Sequence, residues 1–221
     1  MLRSAVEQTP FERIRTRIAA ACQRAGRDPA EITLVAVTKG HSPAEIAAAV
    51  LAHGHYVLGE NRIQEWRAKA AQLHDVEWHF IGNLQRNKVK YCKPFRLIHS
   101  LNSQRLADEL SRYAVNHDHT FRVLLEVNVA GEQSKQGVAL AQAPALAAYV
   151  QTLPGVELVG LMTMAPYSDN PETSRPSFQK LRTLRDTLGL RHLSMGMSGD
   201  FEVAIEEGAT LVRIGSALFD G

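Results

Sequence analysis

Short apolar, β-branched runs alternate with helical stretches along almost the whole chain, and that alternation most limits how it can fold. Strand-like runs occupy Thr33 to Thr38, His55 to Leu58, Glu77 to Ile81, Arg96 to His99, Phe121 to Asn128, Val156 to Met162, His192 to Ser194 and Thr210 to Ile214. Helices are predicted over Phe11 to Ala25, Ser42 to about Ala52, Asn61 to Leu73, Leu84 to Cys92, Ser103 to Asn116, Ala141 to Thr152, Glu172 to Leu188 and Ser198 to Glu207. Strand, helix and strand in succession read as parallel crossover units. Eight such strands in 221 residues fit a closed (β/α)8 TIM barrel, with an open doubly wound sheet as the alternative. No linker, repeat or low-complexity stretch divides the chain, so residues 1–221 read as a single domain.

Composition excludes several classes of protein. The net charge is +2, too small to argue for nucleic acid or a membrane surface. The two cysteines, Cys22 and Cys92, cannot build a disulfide framework or a four-thiolate metal site, and they suit a reducing cytoplasm. The N-terminus carries Arg3, Glu7, Glu12 and Arg13 without an apolar signal core, and no run is long enough to span a bilayer. No metal site is expected.

In a barrel, chemistry sits on the loops that follow the strands. The first strand delivers Lys39 at its end, then Gly40-His41-Ser42-Pro43. Desolvation there would lower the amine's pKa and free it to attack a carbonyl. The alternative is a charge that holds a phosphate. The seventh strand ends in Ser194-Met195-Gly196-Met197-Ser198-Gly199 and the eighth in Arg213-Ile214-Gly215-Ser216. Glycines admit a close backbone approach and N–H groups at a helix start bind anions, so these two loops resemble a phosphate cradle. An amine on one side of the mouth and an anion site on the other suit a phosphorylated aldehyde, pyridoxal 5′-phosphate.

Other residues divide between readings. Asn61 fits a cofactor contact or a helix cap, and Arg213 an anion or ring contact or an ordinary ion pair. His79, within Trp78-His79-Phe80-Ile81, reads as a satisfied core histidine. His41 reads as part of a solvated loop.

A resemblance sharpens this picture. Leu34-Val35-Ala36-Val37-Thr38-Lys39, Leu58-Gly59-Glu60-Asn61-Arg62-Ile63-Gln64-Glu65, Trp78 to Lys88, Gly160-Leu161-Met162, Leu193 to Ser198 with Asp200, and Val212-Arg213-Ile214-Gly215 occur in that order. Together they resemble the YggS/PROSC-type pyridoxal phosphate homeostasis family, whose fold is the barrel of the alanine racemase N-terminal domain. The resemblance implies that Lys39 holds pyridoxal 5′-phosphate as an aldimine. It implies that Ser198 with the backbone of Gly215 and Ser216 holds the phosphate, that Arg213 faces the pyridine nitrogen, and that Asn61 lies beside the cofactor. Racemases keep a comparable serine fifteen residues before a comparable arginine, the spacing of Ser198 and Arg213. The tail departs from the family pattern and reads Phe219-Asp220-Gly221.

An arginine at the ring nitrogen disfavours a second positive charge there and weakens the ring as an electron sink. Racemases add a second base, a tyrosine from a further domain, and this chain ends at Gly221. The expectation is therefore a cytoplasmic binding protein in vitamin B6 homeostasis without robust turnover, a monomer with a dimer as the alternative. Its partners would be pyridoxal 5′-phosphate and the apoenzymes that use it. An amino-acid racemase or another amino-acid enzyme is the alternative, and a phosphosugar enzyme with an aldolase-like lysine a remote third.

Overall fold

The chain was analysed as a computed structural model describing residues 8–132, 136–166 and 168–219. The N-terminal Arg3 and Glu7, and Asp220 with Gly221, lie outside the described residues. Eight strands form the barrel: β1 (Thr33–Val37), β2 (Val57–Glu60), β3 (Glu77–Phe80), β4 (Leu97–Leu101), β5 (Phe121–Asn128), β6 (Val156–Met162), β7 (His192–Ser194) and β8 (Leu211–Ile214). Each pairs in parallel with its neighbours in sequence. β8 returns to pair with β1, Val35 opposite Arg213 and Ala36 opposite Ile214, so the sheet closes and the open-sheet alternative is set aside. A two-residue strand, Val138–Ala139, adds to the end of β5.

The helices are α1 (Pro10–Ala25), α2 (Pro43–Ala49), α3 (Ile63–Ala70), α4 (Gln104–Asn116), α5 (Ala143–Gln151), α6 (Arg175–Thr187), α7 (Phe201–Glu206) and α8 (Ser216–Phe219). Alternation along each strand sorts side chains into two cores. Leu34 and Ala36 face out toward Phe11, Ile14, Ile46 and Leu58, in the layer between sheet and helices. Val35 faces in, among Leu97, Leu124, Val159, Met162 and Leu211. The four-residue spacing of Ile14, Ile18 and Cys22 puts all three on the buried face of α1.

Two helices depart from expectation. The stretch predicted helical over Leu84 to Cys92 is a 3-10 helix, Arg86–Tyr91. Its one buried residue is Val89, and the buried positions after it, Cys92 and Phe95, continue at three-residue spacing, the period of such a turn. The helix predicted from Ser198 starts at Phe201. Asp200 accepts the Met197 N–H (2.7 Å) and the Ser174 hydroxyl (2.8 Å), which fixes the preceding loop and keeps Ser198 outside the helix. Among the described residues no helix is long and apolar enough to cross a membrane.

Candidate functional site at the mouth of the barrel

Lys39 leaves the end of β1 on a tight turn. The His41 N–H donates to the Thr38 carbonyl (3.1 Å), and Gly40 takes φ +79°, the left-handed conformation that a type II turn needs at its third residue. The Lys39 side chain is exposed, unlike the desolvated amine its strand-end position suggests. Burial falls instead on what lies behind the turn. Lys69 on α3, only 6% exposed, donates from Nζ to the Thr38 carbonyl (2.6 Å) and to the fully buried carboxylate of Glu60. The Thr38 hydroxyl donates to the same Glu60 oxygen (2.6 Å), and the Gly40 N–H to Glu65 (3.2 Å). Glu60 Oε2 has no hydrogen-bond partner among the described residues. Ser42 then caps α2 in a reciprocal box with Glu45. His41, read as solvated loop, stacks on Phe219 with ring centroids 3.8 Å apart, tying α8 to this turn.

β8 ends beside β1, and its exit completes the mouth. A Cβ on Gly215 would come within 3.3 Å of the Val37 carbonyl oxygen, so the two exits run against each other. The Ser216 hydroxyl donates to Ser198 Oγ (3.1 Å), which also accepts the Ala217 N–H (3.4 Å). Two hydroxyls and a backbone N–H therefore converge where the chain leaves β7 and β8. The structure thus brings Lys39, Ser198, Gly215 and Ser216 to adjoining strand exits.

Arg213 points into the barrel below them, 5% exposed. It donates from Nη1 to Ser194 Oγ (2.5 Å) and from Nη2 to the Thr163 carbonyl (3.0 Å), and so is not held by an ordinary ion pair. Burial pulls its pKa down to about 10, opposed by Asp200 and Glu126, which leaves it cationic near neutrality. Glu126 of β5 is 3% exposed, and burial pushes its carboxyl up to about 7 against the pull of Arg213. Sequence reasoning missed Glu126, although one acid inside the apolar run Val123 to Val127 is a signal. It also passed over Lys69, which nothing in α3 marks as buried.

Asn61 follows β2 and is half-buried. It is not the helix cap, since Arg62 occupies that position on α3. Its buried Oδ1 has no hydrogen-bond partner among the described residues. Asn61 lines a cleft of about 390 Å³ with Gly82, Asn83, Gln85 and Lys88, residues of the quoted motifs. Gly82 permits this approach, because a Cβ there would fall 2.1 Å from the Asn61 carbonyl oxygen. Among the described residues no three His, Cys, Asp or Glu side chains are grouped to hold a metal. Cys22 and Cys92 are free and buried.

The alanine racemase N-terminal domain family model matches residues 11–221. A pyridoxal phosphate homeostasis protein of Aquifex aeolicus is 50% identical over 218 residues, 95% of either chain. The chain belongs to the family of pyridoxal phosphate homeostasis proteins, barrels of the alanine racemase N-terminal type. Solved structures agree with that placement. A protein of unknown function from Bifidobacterium adolescentis superposes with TM-score 0.90 at 40% identity, covering 95% of this chain and 93% of its own. PipY of Synechococcus elongatus, solved with PLP bound, gives TM-score 0.80 at 34% identity, covering 93% of this chain and 99% of its own.

Proposed function

We propose that this protein binds pyridoxal 5′-phosphate through an imine to Lys39 and serves the cell's supply of that cofactor without robust turnover of its own. The reading takes residues 1–221 as one cofactor-binding barrel domain. The observation that carries it is an exposed amine on a braced turn, next to the convergent hydroxyls of Ser198 and Ser216. A phosphorylated aldehyde needs both ends. The Lys39 amine would hold the aldehyde end of the cofactor. The hydroxyls and the Ala217 N–H offer donors to phosphate oxygens, with the Gly215 backbone alongside.

Two further observations support the fit. Asn61 Oδ1 is a buried acceptor without a partner among the described residues, an arrangement proteins seldom leave unfilled. Arg213 brings a fixed cation beneath the mouth rather than the carboxylate that would keep a pyridine nitrogen protonated. When bound, the cofactor would supply carbonyl and electron-sink chemistry, and a cation at its ring would restrain the second of these. Relatives named for pyridoxal phosphate homeostasis, and PipY solved with PLP, point the same way. Cytoplasmic residence, a monomeric state and delivery to apoenzymes belong to the same proposal.

One observation favours the enzyme alternative. Glu126 is a buried carboxyl in the barrel with a pKa of about 7, a value suited to moving protons near neutrality. Two measurements test these readings. Borohydride reduction of the loaded protein followed by peptide mapping should place the pyridoxyl group on Lys39, and Lys39→Ala should lose the cofactor's absorbance band. A reduced adduct on another lysine, with Lys39→Ala still coloured, overturns the assignment. Deuterium exchange at the α-carbon of added amino acids should be slow; fast exchange abolished by Glu126→Gln would make this an enzyme.

A further inference from the structure

The inside of the barrel carries a polar column that the cofactor reading does not use. Glu77 Oε1 lies 2.9 Å from His79 Nε2, His79 Nδ1 lies 2.9 Å from His99 Nε2, and His99 Nδ1 lies 2.9 Å from Ser194 Oγ. Ser194 is the group that receives Arg213 Nη1. The column starts at the floor, where Glu77 opens β3, and ends below the mouth. Its lower end borders a cavity of about 180 Å³ lined by Thr33, Arg96, Arg122 and His192 among others. His99 and Ser194 are fully buried and His79 is 3% exposed, so the two upper bonds lie away from water, while the Glu77 end is partly exposed.

Donor rules give the column a single direction when both rings are neutral. A carboxylate only accepts, so His79 Nε2 carries a proton and its Nδ1 is an acceptor. His99 must then donate from Nε2, which leaves His99 Nδ1 as an acceptor. Ser194 donates its one hydrogen to that nitrogen, and its oxygen is free to take the Arg213 N–H. Every hydrogen bond points from the guanidinium toward Glu77. Two shifts agree with this order. The His79 hydrogen bond holds Glu77 below the usual carboxylate range, and burial holds His99 well below the usual histidine range, with His79 and Arg213 adding to the effect.

The order has a purpose for a buried cation. Among the described residues Arg213 makes no contact ion pair, Asp200 and Glu126 acting on it only from a distance, and a buried charge without a contact partner is costly. Aligned dipoles that end on a carboxylate offset part of that cost and fix the guanidinium's orientation.

We propose that Glu77, His79, His99 and Ser194 are positioning residues that orient Arg213 from the floor of the barrel and so set the environment of the ring above it. The part that concerns the ring rests on the pyridoxal phosphate reading; the column itself does not.

The test uses the full chain above the ordinary histidine titration range. Long-range proton–nitrogen NMR of the cofactor-free wild type should show His79 and His99 each protonated at Nε2. Finding His99 protonated at Nδ1 overturns the column. Glu77 is 44% exposed, so Glu77→Leu replaces a partly solvated side chain. That variant should yield mixed His99 tautomers and displace the absorbance band of the loaded protein. Glu77→Gln, which can still accept, should restore the single tautomer, and Thr33→Val on the same floor should change neither readout. An unmoved tautomer in Glu77→Leu, or a band displaced equally by Thr33→Val, overturns the proposal. Loss of cofactor binding in the wild type with ordered tautomers would instead overturn the pyridoxal phosphate reading and leave the column standing.

Discussion

The β1 side of the mouth and the β4–β5 side are built differently. At β1, the turn that carries Lys39 is held from behind by Lys69, Glu60 and Glu65, and Ser42 closes the next helix with a reciprocal cap. At β4, Ser100 Oγ is buried without a hydrogen-bond partner among the described residues, and Ser103 stands at the start of α4 with no side-chain cap bond. On β5, Glu126 sits in a setting that disfavours its charge. Bracing is concentrated behind the turn that carries Lys39, the proposed cofactor-binding lysine. The opposite side keeps a titratable group whose charge is loosely determined. Lys39 itself is exposed, while the turn that carries it is held chiefly by the buried Lys69, Glu60 and Thr38.

The largest expected effect breaks the bracing. Lys69→Ala removes the cation from a buried carboxylate that already has one unpartnered oxygen, and should cost about 3–5 kcal/mol of unfolding free energy. Lys69→Met combined with Glu60→Leu removes both charges and should recover most of that loss. Denaturant unfolding of the two variants checks this, with amide exchange at Gly40 reporting on the turn. If the single and double variants lose equal stability, Lys69 and Glu60 do not act as a pair.

Glu126 tests the other side. Its carboxyl rises from an ordinary 4.5 to about 7 on folding, chiefly through burial. Between those values the unfolded chain has released this proton and the folded protein still holds it. Stability therefore falls as pH rises across the window, and the full penalty, about 3 kcal/mol, is present above it. Glu126→Gln does not titrate, so the wild type should lose ground to it steadily from pH about 4.5 to about 7. A pH-independent difference between the two proteins would show that burial at Glu126 does not govern its charge.

Much of this architecture was legible from local pattern. β5, β6 and β7 span the residues predicted for them, and Lys39, Ser198, Gly215 and Ser216 stand at adjoining strand exits. These features depend on periodicity and on the order of loops, which a sequence carries directly. Lys69 was not legible because an isolated lysine in a helix reads as solvated; only the packing of α3 over the ends of β1 and β2 seals it. His99 and Ser194 were hidden for a related reason. Alternation says which residues face inward, but not which of them meet across a closed barrel. Their contact joins positions 95 residues apart and follows from closure and register.

The smallest expected effect isolates the difference in helix entry. Both α2 and α4 begin after a serine, a residue type favoured at helix caps. Ser42 is followed three residues later by Glu45, whose carboxylate returns a bond to the Ser42 N–H (2.6 Å). At the same distance from Ser103 stands Leu106, which is buried in the core and returns nothing. A capping box needs the acid as well as the hydroxyl. Ser42→Ala should therefore cost about 1 kcal/mol. Ser103→Ala should stay within about 0.5 kcal/mol of the wild type, as for a substitution that removes no cap. Thermal unfolding of the two variants under one condition decides the matter. Equal losses would mean that the entry to α4 is held as firmly as the entry to α2, and that the bracing around Lys39 is not local to its own side of the mouth.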